Sequence, residues 1–196
     1  MSDNILRKLM RGIKMIKGDL VKLRAYKEED IVKAHEFLND EEVKKFISVD
    51  AAFPMTIWEE EAWIKTRKSN ANLTYDFAIE DLKTNKYIGG CSINSTNIKN
   101  RNCVIGIMIG DKEYWGKGYG TDALKILIKF IFEELNLDKI KLSVFSFNER
   151  ARACYKKIGF KEEGILKKEI YRNGKYHDDI LMAIFKDEYF NINKIN

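Results

Sequence analysis

Cysteine and histidine are scarce in this chain, and where they fall excludes several chemistries. The three cysteines, Cys91, Cys103 and Cys154, are odd in number, far apart and without a C-x-x-C pair. That pattern writes neither a disulfide framework nor a zinc site. His35 and His177 are the only histidines, too few and too separated to suggest a metal centre, so no metal is expected. No apolar run approaches the roughly 20 residues of a membrane span. The basic N-terminus lacks the apolar core, about 7–15 residues long, of a signal peptide. A reducing cytoplasm is the expected compartment. Repeats, low-complexity tracts and obvious linkers are also missing.

What is present suits one domain: 196 residues, 45% of them hydrophobic. The net charge of +5 raises the question of nucleic acid, and its location argues against it. Residues 1–17 hold Arg7, Lys8, Arg11, Lys14 and Lys17 against Asp3 alone. The rest carries thirty basic and twenty-nine acidic residues, so no basic groove is indicated. In residues 1–14, Ile5, Leu6, Leu9, Met10 and Ile13 fall on one helical face. We read this stretch as a basic amphipathic extension packed on the body; binding to a membrane surface or a partner ranks second. The single domain then spans residues 15–196.

Periodicity orders that domain. A first strand is expected near Leu20–Ala25 and a helix over Lys27–Leu38, with Ile31, Ala34, Phe37 and Leu38 inward. Thr56 and Glu59 form a capping box after Pro54, which opens a second helix to about Arg67. Tyr75–Glu80 alternates as a half-buried strand, and Lys86–Ile93 and Cys103–Ile109 follow, the last apolar enough to be central. A helix from Thr121 carries Leu124, Leu127, Ile128, Ile131 and Leu135. Next come a strand over Ile140–Phe145 and a helix over Glu149–Ile158 that Gly159 ends. Strands around Gly164–Tyr171 and Asp179–Phe185 then pair across the turn Arg172–Lys175.

The most informative stretch is YWGKGYGTDA, Tyr114 to Ala123. An apolar strand, three alternating glycines and a helix start are how a backbone cradles a phosphate. The dinucleotide fingerprint G-x-G-x-x-G fails, because the spacing here is G-x-G-x-G and Asp138 precedes the next apolar run instead of ending it. The G-x-x-x-x-G-K-[ST] loop fails too, since no Gly-Lys-Ser/Thr occurs.

A second motif lies 30 residues on: NERARACYKKIGF, Asn148 to Phe160. It fits N-x-x-A-x-x-x-Y-x-x-x-G-F at Asn148, Ala151, Tyr155, Gly159 and Phe160. The first loop fits [QR]-x-x-G-x-[GA] at Gly118 and Gly120, with Trp115 in the leading place. Together, and in this order, they resemble the GNAT superfamily of acetyl-CoA-dependent N-acetyltransferases. Within it, the chain is similar to the branch of ribosomal-protein alanine N-acetyltransferases and spermidine N-acetyltransferases. The resemblance covers roughly Met15 to Tyr189. It implies an α+β fold: a mixed, largely antiparallel twisted sheet of six to seven strands, flanked by about four helices. Acetyl-CoA, as co-substrate, would lie in the cleft between the central strands. A homodimer would be compatible with it.

The resemblance also implies residue roles. Backbone amides of Trp115, Gly116, Lys117, Gly118, Tyr119, Gly120 and Thr121 would hold the coenzyme pyrophosphate, with Lys117 adding charge or facing solvent. Pantetheine would pair with Ile107, Met108 and Ile109, and Asn148 would bond it, cap its own helix, or both. The amine would attack the thioester directly. A backbone N–H near Met108 would hold the oxyanion, and Tyr155 would act as general acid toward the coenzyme thiolate. The glutamate that many relatives carry in the central strand is absent; Cys103, Val104 and Ile105 stand there. Asp76 and Glu80, on one face of a nearby strand, are the base candidates, with His177 and Asp178 behind them and a water path at least their equal. Cys154, with no histidine near it in sequence, reads as a small buried residue and not as an acyl carrier.

The acceptor would sit between the first two helices and the ends of the central strands. Phe46, Phe53, Trp58 and Trp63 would wall it, and Glu59, Glu60 and Glu61 would supply acid or simply form a solvated face. A protein N-terminal amine ranks first on branch resemblance, a polyamine or other small amine second. A non-catalytic acyl-CoA sensor on the same fold is the alternative of another class.

Overall fold

The computed structural model describes residues 16–47, 53–66 and 73–194; the basic extension over residues 1–14 lies outside them. Eight strands form one sheet in the order β1-β2-β3-β4-β5-β6-β8-β7. These are β1 (Ile16–Lys17), β2 (Val21–Arg24), β3 (Tyr75–Asp81), β4 (Tyr87–Asn97), β5 (Asn102–Ile109), β6 (Lys139–Phe145), β7 (Lys161–Arg172) and β8 (Lys175–Phe185). Among the described residues six helices accompany them: α1 (Asp30–Asn39), α2 (Glu41–Lys44), α3 (Ile57–Thr66), α4 (Tyr119–Glu133), α5 (Glu149–Ile158) and α6 (Lys186–Lys194). The expected α+β architecture is thus present, with additions. The two-residue β1, the single-turn α2 and the C-terminal α6 carry too little periodicity to announce themselves.

Each face of the sheet has its own cover. Leu124, Leu127, Ile128 and Ile131 form one buried stripe of α4 and pack with Ile79, Ile93, Cys103 and Ile105. Each such side chain contributes about 1.5–3 kcal/mol by leaving water. On the opposite face of the N-terminal half, Ile31, Ala34 and Phe37 of α1 and Ile64 of α3 meet Ala78 and Tyr87. Strand alternation therefore sends odd positions of β3 and β5 toward α4 and even positions toward α1 and α3.

Local chemistry accounts for the helix ends. Thr56 and Glu59 form the expected capping box: the Glu59 N–H donates to Thr56 Oγ1 at 3.3 Å, and the Thr56 N–H donates to Glu59 Oε2 at 2.7 Å. Gly159 ends α5 in the left-handed region, at φ 114°. Asn173 and Gly174, both at positive φ, make the tight turn that folds β7 onto β8.

One joint in the sheet differs from all the others. Every neighbouring pair is antiparallel except β5 and β6, which run parallel and are in register only at Asn102↔Lys139, Cys103↔Ile140 and Val104↔Lys141. Beyond Val104 the two strands part. On its other edge β5 stays paired with β4 through Gly89↔Ile109, after an irregularity between Ile93 and Ser95 that adds local twist. The sheet is split at its centre, and the split opens toward the ends of β5 and β6 from which α4 and α5 start.

Candidate active site

The split sheet forms the wall of a cavity of about 850 Å³, lined by residues from Gly106 to Ile109 on β5 and from Leu142 to Phe145 on β6. It continues to the glycine loop on one side and to α1 and α3 on the other.

The loop follows β5 through a short 3₁₀ turn, Lys112–Tyr114. Gly118 is the N-cap of α4 at φ 90°, a conformation a β-branched residue would adopt only under strain. It has no side chain to cap the helix, so the first-turn N–H groups remain available to an anion. An acid in that turn, Asp122, would repel a phosphate, but its carboxylate is committed elsewhere. It accepts from the backbone N–H groups of Asp19, Leu20 and Val21 at 3.2, 2.8 and 3.0 Å. Trp115, Gly116, Gly118, Gly120 and Thr121 line the cavity. Lys117 and Tyr119 are not in its wall; Lys117 is exposed, and Tyr119 packs edge-on against Tyr114 at 4.7 Å.

The register of β5 changes the expectation for Met108. The Gly110 N–H donates to the Ile88 carbonyl at 2.9 Å, and Gly90 stands opposite Met108. Antiparallel bonding alternates, so the Met108 N–H points to Gly90 and is consumed within the sheet. The backbone groups that face the split are those of Ile107 and Ile109. Of these, the Ile109 carbonyl already accepts the Trp115 Nε1–H at 2.7 Å. An oxyanion donor from this strand must therefore be sought at Ile107 or Ile109.

Tyr155 lines the cavity while only 8% exposed. Burial pushes its hydroxyl well above the ordinary tyrosine range, with Cys154 adding to the effect, so it keeps its proton at neutral pH. Asn148 Oδ1 accepts the Ala151 N–H at 3.2 Å; it caps α5 and also borders the cavity. Cys154 Sγ lies 3.2 Å from Thr121 Oγ1, and burial raises its pKa, which leaves it a poor nucleophile.

The two base candidates separate. Asp76 lines the cavity. Glu80, two residue pairs along the same strand face, is absent from that wall and sits 2% exposed between Arg24 and Lys22. Burial pushes its carboxyl up, but hydrogen bonds from Lys22 and Arg24 outweigh this and hold it below the usual range. A carboxylate committed to two cations outside the cavity is not placed to take a proton there. His177 packs edge-on to Phe147 at 4.8 Å, and Asp178 is held by Lys167 and the Lys168 N–H.

On the α1–α3 side the wall combines aromatics with acid. Tyr26 sits edge-on to Trp63 at 5.5 Å and to Tyr87 at 5.9 Å, and a Cβ at Gly90 would collide with the Tyr26 hydroxyl. Burial keeps both tyrosines protonated, with the charge of Asp76 adding at Tyr26 and that of Glu60 adding at Tyr87. Glu60, 2% exposed, lines the cavity with Asp76. Its neighbours in sequence do not: Glu59 caps its helix and Glu61 pairs with Lys65. Of the four expected aromatics, Phe46 and Trp63 line the wall. Phe53 and Trp58, 77% and 74% exposed, face outward. Tyr26 and Tyr87 carried no signal in sequence, since only the pairing of β2, β3 and β4 brings them beside α3.

Comparison with known proteins bears on the family and the fold. The model of the acetyltransferase (GNAT) domain matches residues 21–161. The spermidine N(1)-acetyltransferase of Escherichia coli K12 is 31% identical over 179 residues, which cover 86% of this chain and 88% of that one. YdaF of Bacillus subtilis, provisionally named a ribosomal N-acetyltransferase, is 38% identical over 101 residues, 52% of this chain and 55% of its own. The crystal structure of spermidine N-acetyltransferase from Vibrio cholerae in complex with CoA and spermine superposes with a TM-score of 0.78 at 28% identity. That match covers 87% of this chain and 98% of that one. The protein belongs to the GNAT family and is an N-acetyltransferase that uses acetyl-CoA as its co-substrate.

Proposed function

We propose that the acceptor is a small aliphatic polyamine. The observation that carries this reading is the pair of carboxylates, Glu60 and Asp76, in a wall that also presents the rings of Tyr26, Trp63 and Tyr87. Acid and aromatic faces together hold a flexible cation: the carboxylates through charge-assisted hydrogen bonds, the rings through their negative faces. The relatives point the same way, because the spermidine enzymes match over nearly the whole chain and YdaF over about half of it. A protein N-terminal amine is the second reading; the higher identity to YdaF within the shared half favours it.

The chemistry then runs by direct transfer. An alkylamine of pKa near 10 is only about one part in a thousand neutral at pH 7, so its proton must leave first. Asp76, or a water held by it, takes that proton. The amine nitrogen bonds the thioester carbon, and the oxyanion is held by an amide of Ile107 or Ile109. The C–S bond then breaks. Tyr155 donates a hydrogen bond to the departing sulfur, which regains its proton through this hydroxyl from solvent.

The test is thiol release from acetyl-CoA with spermidine, spermine and an alanine-initiated peptide. Spermidine or spermine should be turned over with kcat/KM at least about 10-fold above the peptide. Glu60→Gln should raise KM for the polyamine about 10-fold or more and leave KM for acetyl-CoA unchanged, a loss in the range of one charge-assisted hydrogen bond. Preference for the peptide would transfer the assignment to the second reading.

A further inference from the structure

Arg150 stands in the first turn of α5 and lines the cavity. Its guanidinium carbon lies 3.6 Å from the centre of the Trp115 ring and 5.3 Å from that of Phe46. On the same helix Arg152 and Lys156 are engaged with Glu162. Among the described residues no carboxylate is within ion-pair distance of Arg150. Partial burial alone lowers its pKa, and no acid offsets the effect. Stacking on indole fixes a guanidinium in place but replaces only part of its hydration. The group therefore gains most from an anion brought into the cavity.

The geometry says which part of the cavity it serves. Arg150, Cys154 and Lys157 follow one another at helical spacing on α5 and all line the wall. Cys154 touches Thr121 in the first turn of α4, and Arg150 touches Trp115 at the head of the glycine loop. This stripe of α5 thus faces the loop across the cleft. The uncapped N-terminus of α4 approaches the same space from the other side.

We propose that Arg150 is a side-chain anchor for a phosphate of coenzyme A, opposite the backbone cradle, and that Trp115 is the platform that holds it ready. Two sources share that chemistry, the pyrophosphate and the 3′-phosphate. The proposal rests on the coenzyme and not on the acceptor, so its test contains no acceptor.

Calorimetric titration with CoA and with dephospho-CoA compares the wild type, Arg150→Ala and Arg150→Met, the last keeping an apolar stem on Trp115 without charge. Both variants should lose about 10-fold or more in CoA affinity, and their binding should fall less steeply with salt than that of the wild type. Equal loss toward both ligands assigns the pyrophosphate; loss confined to CoA assigns the 3′-phosphate. Arg150→Met binding CoA as the wild type does, with the same salt dependence, would overturn the proposal, whether or not Arg150→Ala folds.

Discussion

Removing the Tyr155 hydroxyl separates chemistry from packing more cleanly than any other single change here. The ring is buried among Phe160 and the α4–α5 core. Tyr155→Phe leaves that ring in place, so neither a cavity nor overpacking follows. Among the described residues no protein group hydrogen-bonds the hydroxyl, and its side of the helix borders the coenzyme cavity. Folding stability should therefore change by less than about 1 kcal/mol, in either direction. Catalysis should change far more. A hydrogen bond to a charged partner contributes about 1.5–3 kcal/mol, which is roughly 10–150-fold in rate, and a full acid role allows up to about 10³-fold. The assay is thiol release at saturating acetyl-CoA, with coenzyme affinity and melting temperature measured in parallel. The raised pKa adds a pH signature: Tyr155 keeps its proton throughout the neutral range, so the wild type should show no alkaline loss of kcat from this group below about pH 10. A rate within twofold of wild type, or a loss explained wholly by weaker coenzyme binding, would refute the acid role.

Further outcomes follow from other positions. Gly118→Val should abolish measurable coenzyme binding, because Gly118 stands at φ 90° and a branched side chain there both strains the loop and fills the phosphate cradle; titration with CoA reads it directly. Glu80 should contribute stability that acid removes: its carboxyl is depressed in the fold, so its stabilisation is present above the unfolded value of about 4.3 and lost as pH falls through the folded one. Glu80→Gln should accordingly be destabilised near neutral pH and converge on the wild type at low pH, as followed by urea unfolding across that range. Asp76→Asn should lower kcat with the polyamine by about 10²-fold or more and leave KM for acetyl-CoA unchanged, while an unchanged kcat would remove Asp76 from the proton path.

Much of this architecture was legible because its signals are local. A glycine at positive φ before a helix, an asparagine that caps α5 and a glycine that ends it act within a few residues, so the motifs around Gly118 and Tyr155 could be read in one dimension. What failed to show was set by pairing. Asp76 and Glu80 share a strand face, and only Lys22 and Arg24 on β2 decide that one faces the cavity and the other is tied to cations. Met108 and Ile107 are adjacent, and only the register of β5 on β4 decides which amide is free. Glu60 differs from Glu59 and Glu61 by a helical rotation that turns one carboxylate inward. The split between β5 and β6 has no signature of its own, since it depends on where parallel pairing stops.

That split carries the account, and amide exchange can test it residue by residue. With CoA added, NMR-detected hydrogen exchange should slow at the amides of Ile107 and Ile109, which face the opening. Met108, already bonded within the sheet, should be unaffected. Protection that appears at Met108 but not at its neighbours, or no change along β5 while CoA binds, would contradict the placement of the coenzyme between these strands.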